Sequence, residues 1–255
     1  MSPSTPGYLF PVMLLESLAT ITALVFGLNH SLKKAAWTLP ERRSAVWSGV
    51  ILIAFFYAAA LIPSRLGFYG GTASRIPTIQ YGLLIPIALG ILFYLRWPSF
   101  RRVVRTIPQP WLVGVQLFRV AGLIFLILLA DGKLPAQFAM PAGIGDVLVG
   151  LAAPFVALAT ARGWRYSNAL MRTWNLLGLA DLVVAVGTGF LTSRSPLQLL
   201  ALDHPNELIG RYPLVMIPVF LVPIAILLHL VSLQRLRETK SVQHALHLTT
   251  VAGRV

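Results

Sequence analysis

Seven long apolar runs dominate the pattern of hydrophobic and polar positions along the chain of 255 residues. They lie at 8–28, 44–62, 79–95, 110–130, 139–161, 171–191 and 213–233. Each is close to the about 20 residues that a helix needs to cross a hydrocarbon core of about 30 Å. The pattern therefore predicts an all-α membrane protein with seven transmembrane helices. Residues 1–233 are expected to form this single domain, and 234–255 a basic cytoplasmic tail.

The composition agrees with a polytopic membrane protein and removes several kinds of chemistry. Only 11% of the residues are charged, against about 25% in soluble domains. Cysteine is absent, so disulfides, thiolate metal ligands and cysteine nucleophiles are excluded. The sequence also contains no P-loop, dinucleotide-binding glycine motif or nucleophile elbow. We therefore predict no cofactor and no metal.

Lysine and arginine are distributed unevenly over the connections between the apolar runs. Fifteen of them follow the first, third and fifth runs or lie in the tail, and five lie in the opposite connections. Positive residues are retained in cytoplasmic loops, which predicts an N-terminus outside and a C-terminus in the cytoplasm. The same distribution accounts for the net charge of +13, so no nucleic-acid partner is expected.

The expected partners are the lipid bilayer and, at the basic loops and tail, the anionic lipids of the inner leaflet. The segment from Ser232 to Leu248 is basic, and we predict that it forms a juxtamembrane helix along that leaflet. A small solute or protons are further candidate partners. The oligomeric state is left open.

Polar residues within the apolar runs form the candidate functional site. An Asp, Lys or Arg in hydrocarbon costs roughly 2.5–3.5 kcal/mol on insertion scales, so such residues should face the bundle interior or a watery cavity. At a rise of about 1.5 Å per residue, the depths of these polar residues fall into two neighbouring layers across the membrane. The predicted intramembrane polar cluster consists of Glu16, Gln116, Arg119, Asp146, Asn175, Asp181 and His229.

The charges of this cluster do not balance. Arg119 cannot neutralise Glu16, Asp146 and Asp181 together, so at least one carboxyl group is a candidate proton carrier. In the alternative interpretation, Arg119 forms a structural ion pair with one aspartate, and the polar groups only fix the register of the helices. The sequence leaves open which aspartate is the partner.

Two further patterns concern helix packing. Small residues and Asp146 recur every four positions in the fifth run, a spacing that lets membrane helices approach closely; these are Ala142, Asp146, Gly150 and Pro154. The seventh run has prolines at intervals of five, at Pro213, Pro218 and Pro223. Internal prolines bend or break a helix, and broken helices in transporters line binding cavities. The prolines therefore favour an internal solvated cavity.

The letters GIGD, at 143–146, resemble the Gly-x-Gly-Asp motif of intramembrane aspartyl proteases. This resemblance implies that Asp146 is one of two catalytic acids that share a proton. The family's other aspartate lies upstream of the motif, whereas Asp181 follows it here. An intramembrane enzyme that uses Asp146 and Asp181 is therefore an alternative function.

Three longer stretches resemble an uncharacterised type of bacterial multi-pass membrane protein: QLFRVAGLIFL, GKLPAQFAMPAGIGD and WNLLGLADL. The resemblance implies a location in the bacterial inner membrane and assigns no catalytic roles.

The buried acids and the prolines of the seventh run together predict proton-linked transport or binding of a small solute through the polar cluster. A scaffold or accessory subunit, in which the cluster is structural, is a third possibility beside the enzyme.

Overall fold

A computed structural model describes residues 5–252 of the chain, with the side chains of residues 5–238. These residues form helices and no β-strand. Within them, seven helices are long and apolar enough to cross a membrane: Leu9–Lys34, Leu39–Arg65, Ile79–Arg96, Gln109–Ala130, Ala136–Ala161, Ser167–Thr192 and Ile217–Glu238. The predicted all-α, multi-pass membrane architecture is therefore confirmed.

The individual helices are α1 (Leu9–Lys34), α2 (Leu39–Arg65), α3 (Ile79–Arg96), α4 (Pro98–Thr106), α5 (Gln109–Gly114), α6 (Leu123–Ala130), α7 (Ala136–Ala161), α8 (Ser167–Thr192) and α9 (Val222–Ala252). A 3₁₀ segment, Val115–Gly122, joins α5 to α6 within the fourth span. A π-helical turn, Ile217–Leu221, opens the seventh span and leads into α9.

Helix α7 occupies the centre of the bundle, where it packs against the 3₁₀ segment, α5, α6 and α8. The seventh span closes the core between α3 and α8. Helix α2 lies at the periphery, and large apolar side chains such as Phe55 (72% exposed) and Val183 on α8 (72% exposed) face outward. Such an apolar surface would promote aggregation in water, whereas in a bilayer it faces the lipid chains.

Contacts between distant segments identify the two ends of the bundle. At the "Tyr8 end", Tyr8 Oη donates a hydrogen bond of 2.6 Å to Asp131 Oδ2. At the "Glu238 end", Arg105 Nη2 lies 2.5 Å from Glu238 Oε1. The helices run alternately between these two ends.

Several helix boundaries differ from the prediction because an apolar run ends at the first polar residues, whereas the helical backbone continues through them. Helix α1 extends to Lys34 rather than ending at 28. Helix α2 begins at Leu39 rather than 44, because the Glu41 side chain accepts a bond of 3.2 Å from the backbone N–H of Thr38 and caps the helix. Helix α4 was not predicted, since its arginines make it polar along one face.

The seventh span departs most from the prediction, which placed it at 213–233 with internal prolines that bend or break the helix. The helix begins only at Ile217, and its first turn is π-helical. The backbone N–H of Val222 donates to Ile217 O, five residues back. Pro218 and Pro223 have no N–H to donate, so the α-helical bonding pattern cannot be completed here. The boundary predicted at 233 falls inside α9.

The tail is described only in part. Helix α9 continues to Ala252, and the predicted contact of Ser232–Leu248 with the membrane surface depends on side chains beyond 238 that lie outside the described residues.

The central part of the fourth span was expected to be α-helical but is the 3₁₀ segment. At this level α7 presents Gly150, and a Cβ added there would lie 2.7 Å from the backbone nitrogen of Val120. The two backbones therefore touch without an intervening side chain. A 3₁₀ helix is narrower than an α-helix, and an eight-residue run of it is unusually long.

Our first prediction tests this backbone contact. Gly150→Ala should lower the thermal stability in detergent, with a loss of about 1–3 kcal/mol, because the added methyl group overpacks the interface. Gly187→Ala is the matched control, since a Cβ at Gly187 on α8 meets no atom within 4 Å. Equal melting temperatures for the two variants would contradict the close packing of α7 on the 3₁₀ segment.

Candidate functional site

The centre of the candidate site is Arg119, a residue of the 3₁₀ segment that is 3% exposed. Its Nε donates a hydrogen bond of 2.8 Å to Asp146 Oδ1, and its Nη2 lies 2.8 Å from the same oxygen. Nη2 also forms an ion pair with Asp181 Oδ2. Because Asp146 lies on α7 and Asp181 on α8, one guanidinium joins three spans. Arg119 thus pairs with both aspartates, the choice that the sequence left open.

The remaining nitrogen of Arg119 connects the ion cluster to the seventh span. Nη1 donates to Gly178 O at 3.3 Å and lies 3.2 Å from Nε2 of His229. A guanidinium only donates hydrogen bonds, so His229 Nε2 must accept this one. The proton of the ring then lies on Nδ1, and His229 is neutral in this arrangement.

A chain of hydrogen bonds continues from His229 toward the Glu238 end. His229 Nδ1 lies 2.9 Å from Asn175 Oδ1, the acceptor that the assigned tautomer requires. Asn175 Nδ2 in turn donates to Ser232 Oγ at 2.9 Å. The backbone carbonyl of Ser232 accepts a bond of 3.0 Å from Gln109 Nε2, at the start of α5. The polar groups therefore form a connected path through this half of the bundle.

Glycines provide the space that this cluster occupies. A Cβ on any of three of them would collide with a cluster side chain: Gly122 with Asp146, Gly145 with Asp181, and Gly178 with His229. Gly143 serves a similar purpose, since its Cβ would lie 2.7 Å from the side chain of Leu126 on α6. Both glycines of the GIGD stretch thus have a packing role beside Asp146.

Two of the seven predicted cluster residues lie apart from this network. Glu16 accepts a hydrogen bond of 3.5 Å from Thr20 on its own helix and makes no ion pair with any side chain that the structure describes. Gln116 is fully buried, and its Nε2 lies 3.5 Å from Ala225 O. The structure brings the other five together: Arg119, Asp146, Asn175, Asp181 and His229.

Sequence reasoning missed Ser232 and the carbonyl of Gly178. Ser232 lies three residues after His229, a spacing that places both on one face of α9. This spacing was a usable signal. The contact with Gly178 O involves the backbone, which no residue pattern reveals.

The cluster carries one negative charge in excess when both aspartates are ionised. All three nitrogens of Arg119 have partners, whereas Asp146 Oδ2 and Asp181 Oδ1 accept no hydrogen bond from the described residues. The unused bonding capacity of the site is therefore that of an acceptor.

Three neighbouring cavities lie between the Tyr8 end and this cluster. A vestibule of about 530 Å³ is bounded by Tyr69–Ser74 and by residues of the connection between α8 and the seventh span. It shares Ile79, Ser193 and Ile209 with a cavity of about 80 Å³ that reaches Asp146. A third cavity, of about 20 Å³, is lined by both Arg119 and Asp146. The series narrows toward the ion cluster.

The fold and this site define a class of protein: a multi-pass α-helical membrane protein with a buried arginine–aspartate cluster. The chain belongs to the family described as "Domain of unknown function (DUF8737)", which matches residues 76–237. No curated protein and no solved structure shows significant similarity to the chain. The matched residues include the whole Arg119 network and the connection before the seventh span that lines the vestibule. They exclude α1, which carries Glu16, and α2.

A second prediction concerns the buried ion cluster. Arg119→Leu leaves the buried Asp146 and the partly buried Asp181 without their counter-charge, and breaking a buried pair costs about 3–5 kcal/mol in soluble proteins. Thermal unfolding in detergent should therefore shift strongly downward. Adding Asp146→Asn and Asp181→Asn together should restore more stability than Asp181→Asn alone, because Arg119 holds both acids.

The matched control is Arg105→Leu, which removes an arginine from the exposed pair with Glu238. An exposed pair contributes about 1 kcal/mol at most, so this variant should unfold close to the wild type. If Arg119→Leu also unfolds near the wild-type temperature, or if the triple variant recovers nothing, the cluster does not stabilise the bundle in this way.

Proposed function

We propose that the protein carries out proton-linked transport or binding of a small solute, with the exchangeable proton held by Asp146 and Asp181. One observation carries this proposal: two carboxylates share a single guanidinium whose nitrogens are all engaged. The cluster therefore has acceptor atoms and a surplus negative charge, and it has no unused donor on Arg119. A proton that binds to the pair neutralises the surplus.

The cavities support access to Asp146 from one side. Asp146 lines the two smaller cavities, and the larger of these shares lining residues with the vestibule at the Tyr8 end. A volume of about 80 Å³ accommodates only a few waters, at about 30 Å³ each. In this conformation the narrow section suits water and protons better than a larger solute.

On the other side the contact between Arg119 and His229 closes the path. His229 Nε2 is occupied as an acceptor, so it takes up a proton only after its bond to Arg119 Nη1 is broken. Proton transfer toward Asn175 and the Glu238 end thus requires a rearrangement of the cluster. Such a two-state change is what a coupled transporter needs to avoid a leak.

We further propose that this chain lies in the bacterial inner membrane with the Tyr8 end outside and the Glu238 end in the cytoplasm. The asymmetry of fifteen against five basic residues supports this orientation. Contacts at the Glu238 end bring the basic connections together there, in agreement with this orientation. Arg102 stacks on Trp37 with its Cζ 4.4 Å from the ring centroid, and Arg105 pairs with Glu238. The vestibule then opens to the outside.

The enzyme alternative receives less support from the geometry. A catalytic pair of aspartates shares one proton between two carboxyl groups, whereas Asp146 and Asp181 both bind the same guanidinium.

One observation favours the scaffold alternative. Arg119, on the fourth span, contacts α7, α8 and α9 and so fixes their register. Titration of the aspartates separates this alternative from the proposed function.

The third prediction tests the exchangeable proton. Infrared difference spectra of the purified wild type, recorded over roughly pH 4 to 9, should show a carboxyl C=O band that changes with pH. Asp146→Asn or Asp181→Asn should remove that band, because each amide keeps the side-chain size without the titrating proton. Glu16→Gln is the control, since Glu16 lies outside the network, and it should keep the band.

Persistence of the same band in both aspartate variants would show that another group titrates. A wild type in which no buried carboxyl changes its protonation over this range would favour the scaffold instead.

The fourth prediction tests the orientation and uses the absence of native cysteine. Ser74 and Ser99 are exposed at opposite ends of the bundle. In intact cells, an impermeant thiol reagent should label Ser74→Cys and leave Ser99→Cys unlabelled until the membrane is permeabilised. Labelling of Ser99→Cys alone would reverse the proposed orientation.

A further inference from the structure

The vestibule at the Tyr8 end is a polar site separate from the ion cluster. Its floor is formed where two segments of backbone touch: a Cβ at Gly210 would lie 3.2 Å from the Cα of Gly70. Thr72 and Ser74 add hydroxyl groups to its wall, and their side-chain oxygens lie 3.4 Å apart. Its volume of about 530 Å³ falls within the usual range of small-molecule sites, about 300–1,000 Å³.

The charged side chains of the vestibule leave an excess of positive charge. Arg194 Nη1 lies 2.8 Å from Glu207 Oε1, and Arg211 Nη2 lies 2.9 Å from Glu207 Oε2. Glu207 thus binds an arginine with each of its oxygens. The three side chains together carry one net positive charge, and the Arg194 side chain remains 53% exposed.

A buried amide on the same wall has one donor group without a partner. Asn206 is 2% exposed, and its Oδ1 accepts a bond of 3.2 Å from the backbone N–H of Ile209. This bond fixes the orientation of the amide. Its Nδ2 has no hydrogen-bond partner among the described residues, although buried polar groups are nearly always bonded.

From these contacts we infer that the vestibule binds the oxyanion group, carboxylate or phosphate, of a small molecule. The donors of the lining that can serve a ligand are the exposed Arg194 guanidinium and the hydroxyl groups, and the buried Asn206 Nδ2 behind them has no partner among the described residues. The acceptor oxygens of Glu207 are already bound to arginines. A ligand that offers acceptors and a negative charge complements this arrangement, whereas a cation would meet net positive charge and few open acceptors.

This inference rests on the vestibule alone and does not require that Asp146 or Asp181 exchange a proton. If the proposed function also holds, the bound oxyanion compound is the solute that enters from this side. A binding measurement at fixed pH tests the vestibule, whereas the infrared titration tests the aspartates, so the failure of one proposal is distinguishable from failure of the other.

The test measures thermal stabilisation of the purified full-length protein by inorganic phosphate, acetate and succinate, each compared with chloride at equal ionic strength. The wild type should be stabilised by at least one of these oxyanions. Arg194→Gln and Asn206→Asp should each raise the apparent Kd about tenfold, the loss typical of a charge-assisted hydrogen bond. Asn206→Asp keeps the oxygen that binds Ile209 N–H and replaces the open donor with an acceptor.

Arg75→Gln is the matched control, because Arg75 is exposed at the same end but does not line the vestibule. This variant removes the same charge and should bind the oxyanions as the wild type does.

A second arm of the experiment compares the protein in nanodiscs of phosphatidylglycerol with the protein in nanodiscs of phosphatidylcholine. Stabilisation by phosphatidylglycerol alone, lost in Arg194→Gln, would identify a lipid headgroup as the source of the oxyanion. No oxyanion effect in either arm, or an equal effect in all variants, would overturn the inference.

Discussion

A guanidinium that is buried in the middle of a membrane must have every nitrogen satisfied by the protein, and this constraint organises the bundle. Arg119 meets it with two carboxylates, one backbone carbonyl and one histidine nitrogen. These partners come from three spans, so the cluster can form only when the spans pack in one register. The buried charge therefore selects a tertiary arrangement in addition to contributing to its stability.

The close packing around Arg119 follows from this requirement. A guanidinium reaches partners on neighbouring helices only if the backbones approach closely, and glycines permit that approach. Gly150 lets α7 touch the 3₁₀ segment, and Gly145 and Gly178 leave space for the side chains of Asp181 and His229. The glycines and the polar residues are thus two parts of one packing solution, in agreement with the small-residue packing of membrane helices.

The two halves of the bundle differ in a way that bears on function. Toward the Tyr8 end the cluster borders cavities, whereas toward the Glu238 end it continues as a chain of direct hydrogen bonds through His229 and Asn175. The irregular seventh span contributes to both halves, since its π-helical turn lines the cavities and α9 carries His229. A change at this turn is therefore well placed to alter access to the aspartates and the bond between Arg119 and His229 together.

The sequence by itself determined the seven spans, their approximate limits and the presence of costly polar groups within them. Apolar run length and the energetic cost of buried charge are local properties, so five residues of the Arg119 network could be identified individually: Arg119, Asp146, Asn175, Asp181 and His229. Depth along a helix leaves rotation about its axis open, and so Glu16 was grouped with a cluster from which it lies apart. Only the tertiary structure decided that Arg119 binds both aspartates, that the fourth span narrows to a 3₁₀ helix and that Asn206 and two arginines line one vestibule. These features depend on which helix faces meet, and that is fixed by packing between residues far apart in the chain.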